Sequence, residues 1–543
     1  VEQRGLHRTD GHHALGAVER LPEVVRTLRP GEGVDPHRVA RLLFPLVVLL
    51  AATLKLGSGL APHSLFLDDE WVAIALRDTG LWERLALHLP MPVGFALLAG
   101  LPTHLIHGAL GLQALPALAY IAALALFPVL IRRLSGSALD ASLGMAMMAA
   151  APLGAELAVR VKQYSLDQLV TVGVLLAMSW LLRERSTPRF GGWTLALLGG
   201  VLLSFSSVYL AMAAVMPTCL ALWVEPRGTP RARRVTITAI GLAFVAAVGA
   251  FFLLYVSRAS RPIMVEYWDG FFPTPGPSGA WSFVTQRATT FFLGALPGWA
   301  WIFALLAPLG FVWLWREGHR AYCLTITGFY VLVFVAAFAR VYPMGTGRAD
   351  AYATPVNTLL VCLGASELLR RVASPRGRTA LHVALIAFFT VSVVVSPGPR
   401  YPRTDDRAAV EWAMARAGEG DALVLSPYAA FAAAYYGGES MGPARLVPAE
   451  YYGHGFDVET DRPLTLTTAL GRWDVVDASA LEEERRRLAS FASDAPTRLV
   501  YLETQGTPAT REAALRTIAE GGYRLAERTA FGGPAEAFLF VRE

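Results

Sequence analysis

From Arg41 to about Ser396 the chain is a succession of apolar runs separated by short polar stretches. A helix that spans a bilayer needs roughly 17–25 such residues. Runs at about 42–60, 112–131, 139–157 and 165–182, two short runs within 193–223, and runs at about 235–257, 290–315, 321–340, 352–369 and 379–397 predict about eleven transmembrane helices. Met91–Leu110 is also apolar but contains Pro92, Pro102, His104 and His107, so it predicts a re-entrant or interfacial helix that does not span. After Thr404 the pattern changes. Arg407–Ala417 and Pro427–Tyr436 have helical spacing, and Asp421–Ser426 is a buried-strand run after the turn signal Gly418-Glu419-Gly420. Arg498–Leu502 and Ala535–Val541 read as strands, with Thr510–Glu520 helical between them. Alternating strands and helices predict a small α/β domain. The expected fold class is a polytopic α-helical membrane protein with a small C-terminal α/β domain, divided as 1–41, 42–397 and 398–543.

Charge sets the expected orientation. Only 17% of the 543 residues are charged, against about a quarter in soluble domains, and the net charge of +5 points to no nucleic-acid partner. Arginine clusters fall between apolar runs: 20–41, Arg132–Arg133, 183–189, 227–234, 316–320 and 370–378. With 91–110 not spanning, every cluster lands on one side, which the positive-inside rule makes cytoplasmic. The first 41 residues then form a cytoplasmic tail, with no signal-peptide order, and the C-terminal domain lies outside the cytoplasm. Cys219, Cys323 and Cys362 sit in apolar stretches, so neither a disulfide framework nor a Cys/His metal pattern is expected. The Ala/Arg/Gly-rich composition, with Lys55 and Lys162 as the only lysines, suggests a high-GC bacterial genome and hence a bacterial cytoplasmic membrane.

Three polar groups fall on the expected outer face. The first is Asp68-Asp69-Glu70; adjacent carboxylates serve as a general base, or bind a divalent cation such as magnesium or manganese, or simply cap the helix that follows. The second, Glu156 to Asp167, places Glu156, Arg160, Gln163, Tyr164 and Asp167 on one stripe if it is helical. There Arg160 and Lys162 suit a phosphate, or else pair with Glu156 and Asp167. The third, Arg340–Arg348, contains Tyr342-Pro343 and two glycines; exposed amides with Arg348 suit an anion, and a rigid turn is the plainer alternative. His88, His104 and His107 are possible substrate contacts. Glu266–Phe272 reads as an interfacial aromatic belt, with a lid over a lipid substrate as the sharper reading.

Together these residues resemble the GT-C glycosyltransferases, in particular the bacterial family 39 and protein-mannosyltransferase-like group. The likeness rests on Leu65-Phe66-Leu67-Asp68-Asp69-Glu70, Lys162-Gln163-Tyr164-Ser165-Leu166-Asp167, Tyr342-Pro343 with Gly347-Arg348, and the strand Gly420–Val424, and runs from about Leu42 to Val541. The resemblance implies a polyprenyl-phosphate sugar donor, an external active site, inversion at the anomeric carbon and an envelope glycan, lipid or protein as acceptor. By motif position Asp69 is the base and Glu70 its support or a metal ligand, with Asp68 the neighbouring alternative. Arg160, Lys162, Tyr164 and Arg348 would hold the donor phosphate, and His88, Gln163, Asp167 and Tyr342 would orient the acceptor. The sequence departs from the family at Leu87–Pro92, where His88 stands in place of a glutamine. A non-catalytic scaffold or receptor, or a transporter, is the competing reading; no internal repeat supports transport.

Overall fold

The computed structural model describes residues 36–60, 64–65, 67–86, 88, 91–224, 230–259, 265, 267–293, 305–372, 374–396, 404–448, 456–468, 478–494 and 497–543. Most of the expected N-terminal tail and the middle of the 290–315 run lie outside these residues. The membrane part contains, in chain order, α1 (Pro36–Gly57), α2 (Leu67–Asp78), α3 (Leu81–Ala86), α4 (Val93–Leu98), α5 (Ala109–Ser135), α6 (Ala138–Ala150), α7 (Pro152–Ala158) and α8 (Tyr164–Glu184). It continues with α9 (Thr187–Leu203), α10 (Ser207–Trp223), α11 (Arg231–Phe251), α12 (Pro277–Phe283), α13 (Ala307–Arg316), α14 (Arg320–Phe338), α15 (Thr354–Val372) and α16 (Pro375–Val395).

Among the described residues, five helices are long and apolar enough to cross a membrane: α5, α8, α11 with its π-helical extension to Val256, α14 and α16. Shorter apolar helices accompany them, including Leu43–Gly57 of α1, α6 and α10. The protein is a polytopic helical membrane protein. The expected run at 139–157 is two helices, because Pro152 opens α7 one residue after α6 ends and cannot continue the preceding hydrogen-bond ladder. Met91–Leu110 holds only α4 and a single 3-10 turn, Leu101–His104, closed by Gly108 at φ 76°. It forms no single long helix.

Close helix contact depends on missing side chains. A Cβ on Gly310 of α13 would lie 1.9 Å from the Leu360 carbonyl oxygen, and one on Gly364 of α15 would lie 2.0 Å from that of Leu306. Small residues at such crossings let two backbones touch where lipid offers no hydrophobic drive. Buried polar ties add specificity. Asp140 of α6 pairs with Arg370 of α15 at 2.7 Å and with the His382 ring of α16 at 2.9 Å.

The basic helix ends gather at one end of the bundle. Arg183 donates to the Arg133 carbonyl (3.0 Å), Arg233 donates to the Thr187 hydroxyl (3.2 Å) and the Arg185 carbonyl, and His319 lies 3.3 Å from the Leu134 carbonyl.

The C-terminal domain adds α17 (Asp406–Arg416), α18 (Pro427–Tyr436), α19 (Ala478–Asp494) and α20 (Pro508–Glu520). Its strands are β1 (Ala422–Leu425), β2 (Ala444–Pro448), β3 (Phe456–Thr460), β4 (Thr465–Thr467), β5 (Arg498–Glu503), β6 (Tyr523–Ala530) and β7 (Glu536–Arg542). The main sheet has the order β4-β1-β5-β7-β6, parallel across β4, β1 and β5 and antiparallel from β5 to β6, while β2 and β3 form a separate antiparallel pair. The apolar run at β1 is buried on both faces, as a central parallel strand requires.

This domain docks on α2. Arg77 donates to the carbonyls of Tyr435 (2.8 Å) and Ala434 (3.1 Å), and the Tyr436 hydroxyl accepts the Leu65 N–H at 2.5 Å. Ser64 links the same edge to α17, donating to Asp405 (2.8 Å) and accepting from the Arg407 N–H (2.9 Å).

Candidate active site

The three polar groups, far apart in sequence, meet. Asp68, Asp69 and Glu70 form the first turn of α2, where acids favour the helix dipole. Successive helical residues point about 100° apart, so the three carboxylates have different surroundings, although Asp68 and Asp69 share Arg160. Asp68 meets Arg348 at 2.7 Å and Arg160 at 3.6 Å. Asp69 is 2% exposed and both its oxygens are engaged: Oδ2 by Arg160 Nε at 2.6 Å and Oδ1 by the Val161 N–H at 3.0 Å. Burial raises the Asp69 pKa, with Arg160 and Lys162 pulling it down. Glu70 lies toward Asp406 of the C-terminal domain. These acids are not a solvated cap.

The stripe expected over 156–167 does not form, because α7 ends at Ala158 and α8 begins at Tyr164. The intervening turn turns Arg160 inward, where it is 1% exposed and pairs with Asp69, not with Glu156. Lys162 packs its ammonium 4.0 Å from the centre of the Trp71 ring. Burial pushes the Lys162 ammonium down to about 8, against the pull of Asp68 and Asp69.

The glycine loop after α14 departs from expectation in one respect. Its amides do not face an open anion site: the N–H groups of Gly345 (3.4 Å) and Gly347 (2.9 Å) donate to Asp350 within the same loop. Both glycines have positive φ, 75° and 79°, which a side chain would strain. The loop instead serves to present Arg348, whose guanidinium also reaches the Tyr267 hydroxyl at 3.2 Å and lies 5.4 Å from the Trp268 ring centre.

A cavity of about 260 Å³ opens beside this cluster. Asp68, Lys162, Gln163, Tyr164, Tyr342 and Arg348 contribute polar lining, and Val201, Phe205, Val248, Phe251 and Phe252 contribute an apolar wall. Asp69, Arg160, Asp167 and His88 stand outside the lining. Asp167 is fully buried near Ser204 and Ser206. The Tyr342 hydroxyl donates to the Ala349 carbonyl (3.1 Å) and lies 2.8 Å from the Ser206 hydroxyl. His88 rests on Tyr255, with ring centres 5.4 Å apart, behind the aromatic wall.

Asp69 and Glu70 do not fit a shared cation. The oxygens of Asp69 are already engaged and Glu70 faces another element. Among the described residues, no group of three or more His, Cys, Asp and Glu side chains converges as metal ligands.

Sequence reasoning missed the apolar wall and Tyr428, which the C-terminal domain supplies to the cavity. Tyr267 and Trp268 fell in a segment read chiefly as an aromatic belt. No local signal marks such residues, since an aromatic in an apolar run looks alike whether it faces lipid or a cavity.

No family model matches the chain, and no curated protein matches it. Among solved structures it is similar to two crystal structures of ArnT from Cupriavidus metallidurans. The apo form has 12% identity and a TM-score of 0.49, and the form bound to undecaprenyl phosphate has 13% identity and a TM-score of 0.47. Each alignment covers 91% of this chain and 97% of the other.

Proposed function

We propose that the protein is a membrane glycosyltransferase that moves a sugar from a polyprenyl-phosphate donor to an envelope glycan, lipid or protein. The observation that carries this reading is the cavity itself, where one carboxylate, Asp68, and three cations, Lys162, Arg340 and Arg348, adjoin an apolar aromatic wall. A ligand with an anionic head and a hydrocarbon body suits that lining. The gathering of arginine-rich helix ends at the opposite side supports an extracytoplasmic site in a bacterial inner membrane, with the N-terminus cytoplasmic.

Asp68 suits the role of base better than Asp69, because it lines the cavity while Asp69 is occupied by Arg160. In this reading Asp68 takes the proton of the acceptor hydroxyl. The acceptor oxygen bonds to the anomeric carbon from the face opposite the phosphate, which inverts the centre. The bond from that carbon to the phosphate oxygen breaks, and its electron pair leaves on the polyprenyl phosphate. Lys162 and Arg348 then stabilise the added charge, and Arg160 keeps the acidic turn in register. No step needs a metal.

The test is release of polyprenyl phosphate from a panel of labelled polyprenyl-phosphate sugars, with envelope extract as acceptor. The parent should turn over at least one donor, and Asp68→Asn should lose about two orders of magnitude or more, the scale of a missing general base. Equal turnover by the parent and Asp68→Asn would remove Asp68 from the chemistry. Absence of turnover with every donor would count against a transferase.

A further inference from the structure

One guanidinium is shared between the acidic turn and the cavity. Arg348 donates through Nη1 to Asp68 Oδ2 at 2.7 Å, and both side chains line the cavity. The other terminal nitrogen of Arg348, Nη2, donates to the Tyr267 hydroxyl at 3.2 Å. Arg160 stands 3.6 Å from the same Asp68 oxygen. The carboxylate suited to take the acceptor proton and a cation suited to hold the donor phosphate are therefore bonded to each other. Neither is fully available while that bond lasts.

The two arginines on Asp68 differ in how firmly they are held. Arg160 is 1% exposed and is fixed by Asp69 at 2.6 Å. Arg348 and Asp68 keep 24% and 22% of their side chains accessible, and ion pairs exposed to that degree contribute little net stability. The Arg348–Asp68 pair is thus the one that a ligand can exchange. The backbone beside Arg348 is pinned, because the Gly347 N–H donates to Asp350 at 2.9 Å, so the exchange needs only side-chain rotation. A phosphate presents two oxygens that a guanidinium can hold together, and Lys162 lines the same cavity.

We propose that the Asp68–Arg348 ion pair is a latch opened by the donor: the donor phosphate takes Arg348 from Asp68, and Asp68 Oδ2 then turns to the acceptor hydroxyl. The base is available only when the donor is in place, and departure of the polyprenyl phosphate returns Arg348 to Asp68. This inference rests on the transferase reading and adds to it a competition between substrate and base for one side chain.

The experiment titrates a polyprenyl phosphate carrying no sugar into the full-length protein in detergent, by calorimetry, for the parent, Asp68→Asn, Arg348→Gln and the double variant. Asp68→Asn removes the competitor, so it should bind several-fold tighter than the parent although it transfers no sugar. Arg348→Gln should bind several-fold more weakly, and adding Asp68→Asn to it should change the affinity little, because no shared guanidinium is left to release. Weaker binding by Asp68→Asn would overturn the proposal, since Asp68 would then be aiming Arg348 at the phosphate. An equal gain in the Arg348→Gln background would overturn it too, as the effect of one fewer negative charge and not of competition. A second readout needs only the parent and Asp68→Asn: the infrared difference spectrum on adding polyprenyl phosphate should show a shifted carboxylate band that Asp68→Asn lacks, and no such band in the parent would sink the latch. Those results leave the transferase reading standing, whereas a parent that binds no polyprenyl phosphate would remove that reading and the latch together.

Discussion

Asp68 and Asp69 are chemically identical neighbours, yet their surroundings give them different work. Asp69 neutralises a guanidinium that is 1% exposed, while Asp68 keeps 22% of its side chain accessible beside the cavity. Removing one partner of a buried pair leaves the other charge uncompensated, at a cost of about 3–5 kcal/mol. Asp69→Asn should therefore lower the thermal unfolding midpoint sharply, and Asp68→Asn should leave it nearly unchanged while abolishing transfer. Differential scanning fluorimetry of both variants reads this contrast, and equal midpoints would show that Asp69 is not holding Arg160. The sequence made the acidic triplet visible but not the division of labour within it. Which carboxylate faces the cavity depends on how α2 is rotated about its axis, and that rotation is set by Trp71, Ile74 and the rest of its buried face.

At the scale of elements, most of the helices and strands were legible because periodicity is local. The paired short helices α9 and α10, the proline-broken 91–110 segment and strands β1, β5 and β7 all follow from patterns within a few turns. What escaped were β4, only three residues long, and the β2–β3 pair, β6 and α19, whose sequences carry more charge. The break between α7 and α8 escaped too. Its consequence is large, because it redirects Arg160 from a helix surface into a buried ion pair. The α13–α15 crossing is a further case of geometry outside the reach of periodicity. Gly364→Ala should place a methyl group against the Leu306 carbonyl and cost about 1–3 kcal/mol as an overpacked contact. Thermal unfolding of the variant in detergent measures it, and a neutral result would mean that the two helices can separate freely.

Over the whole molecule, the C-terminal domain is part of the site's architecture. It supplies Tyr428 to the cavity and clamps α2 through Tyr436 and Arg77. Leu65 is buried, so Tyr436→Phe leaves its N–H without an acceptor at about 1–3 kcal/mol. Hydrogen exchange should then quicken around Leu65 and α18 and stay unchanged in α14 and α15; unchanged exchange at Leu65 would argue against the clamp. Sequence by itself determined the membrane character, the succession of apolar helices and the α/β nature of the C-terminal part. Each depends on composition or on a repeat of 2 or about 3.6 residues. Only tertiary structure decided that Asp68 would meet Arg348, 280 residues away, and that the glycine-loop amides would be taken by Asp350. Those outcomes depend on which faces of distant elements pack together, and no local repeat in the chain encodes that.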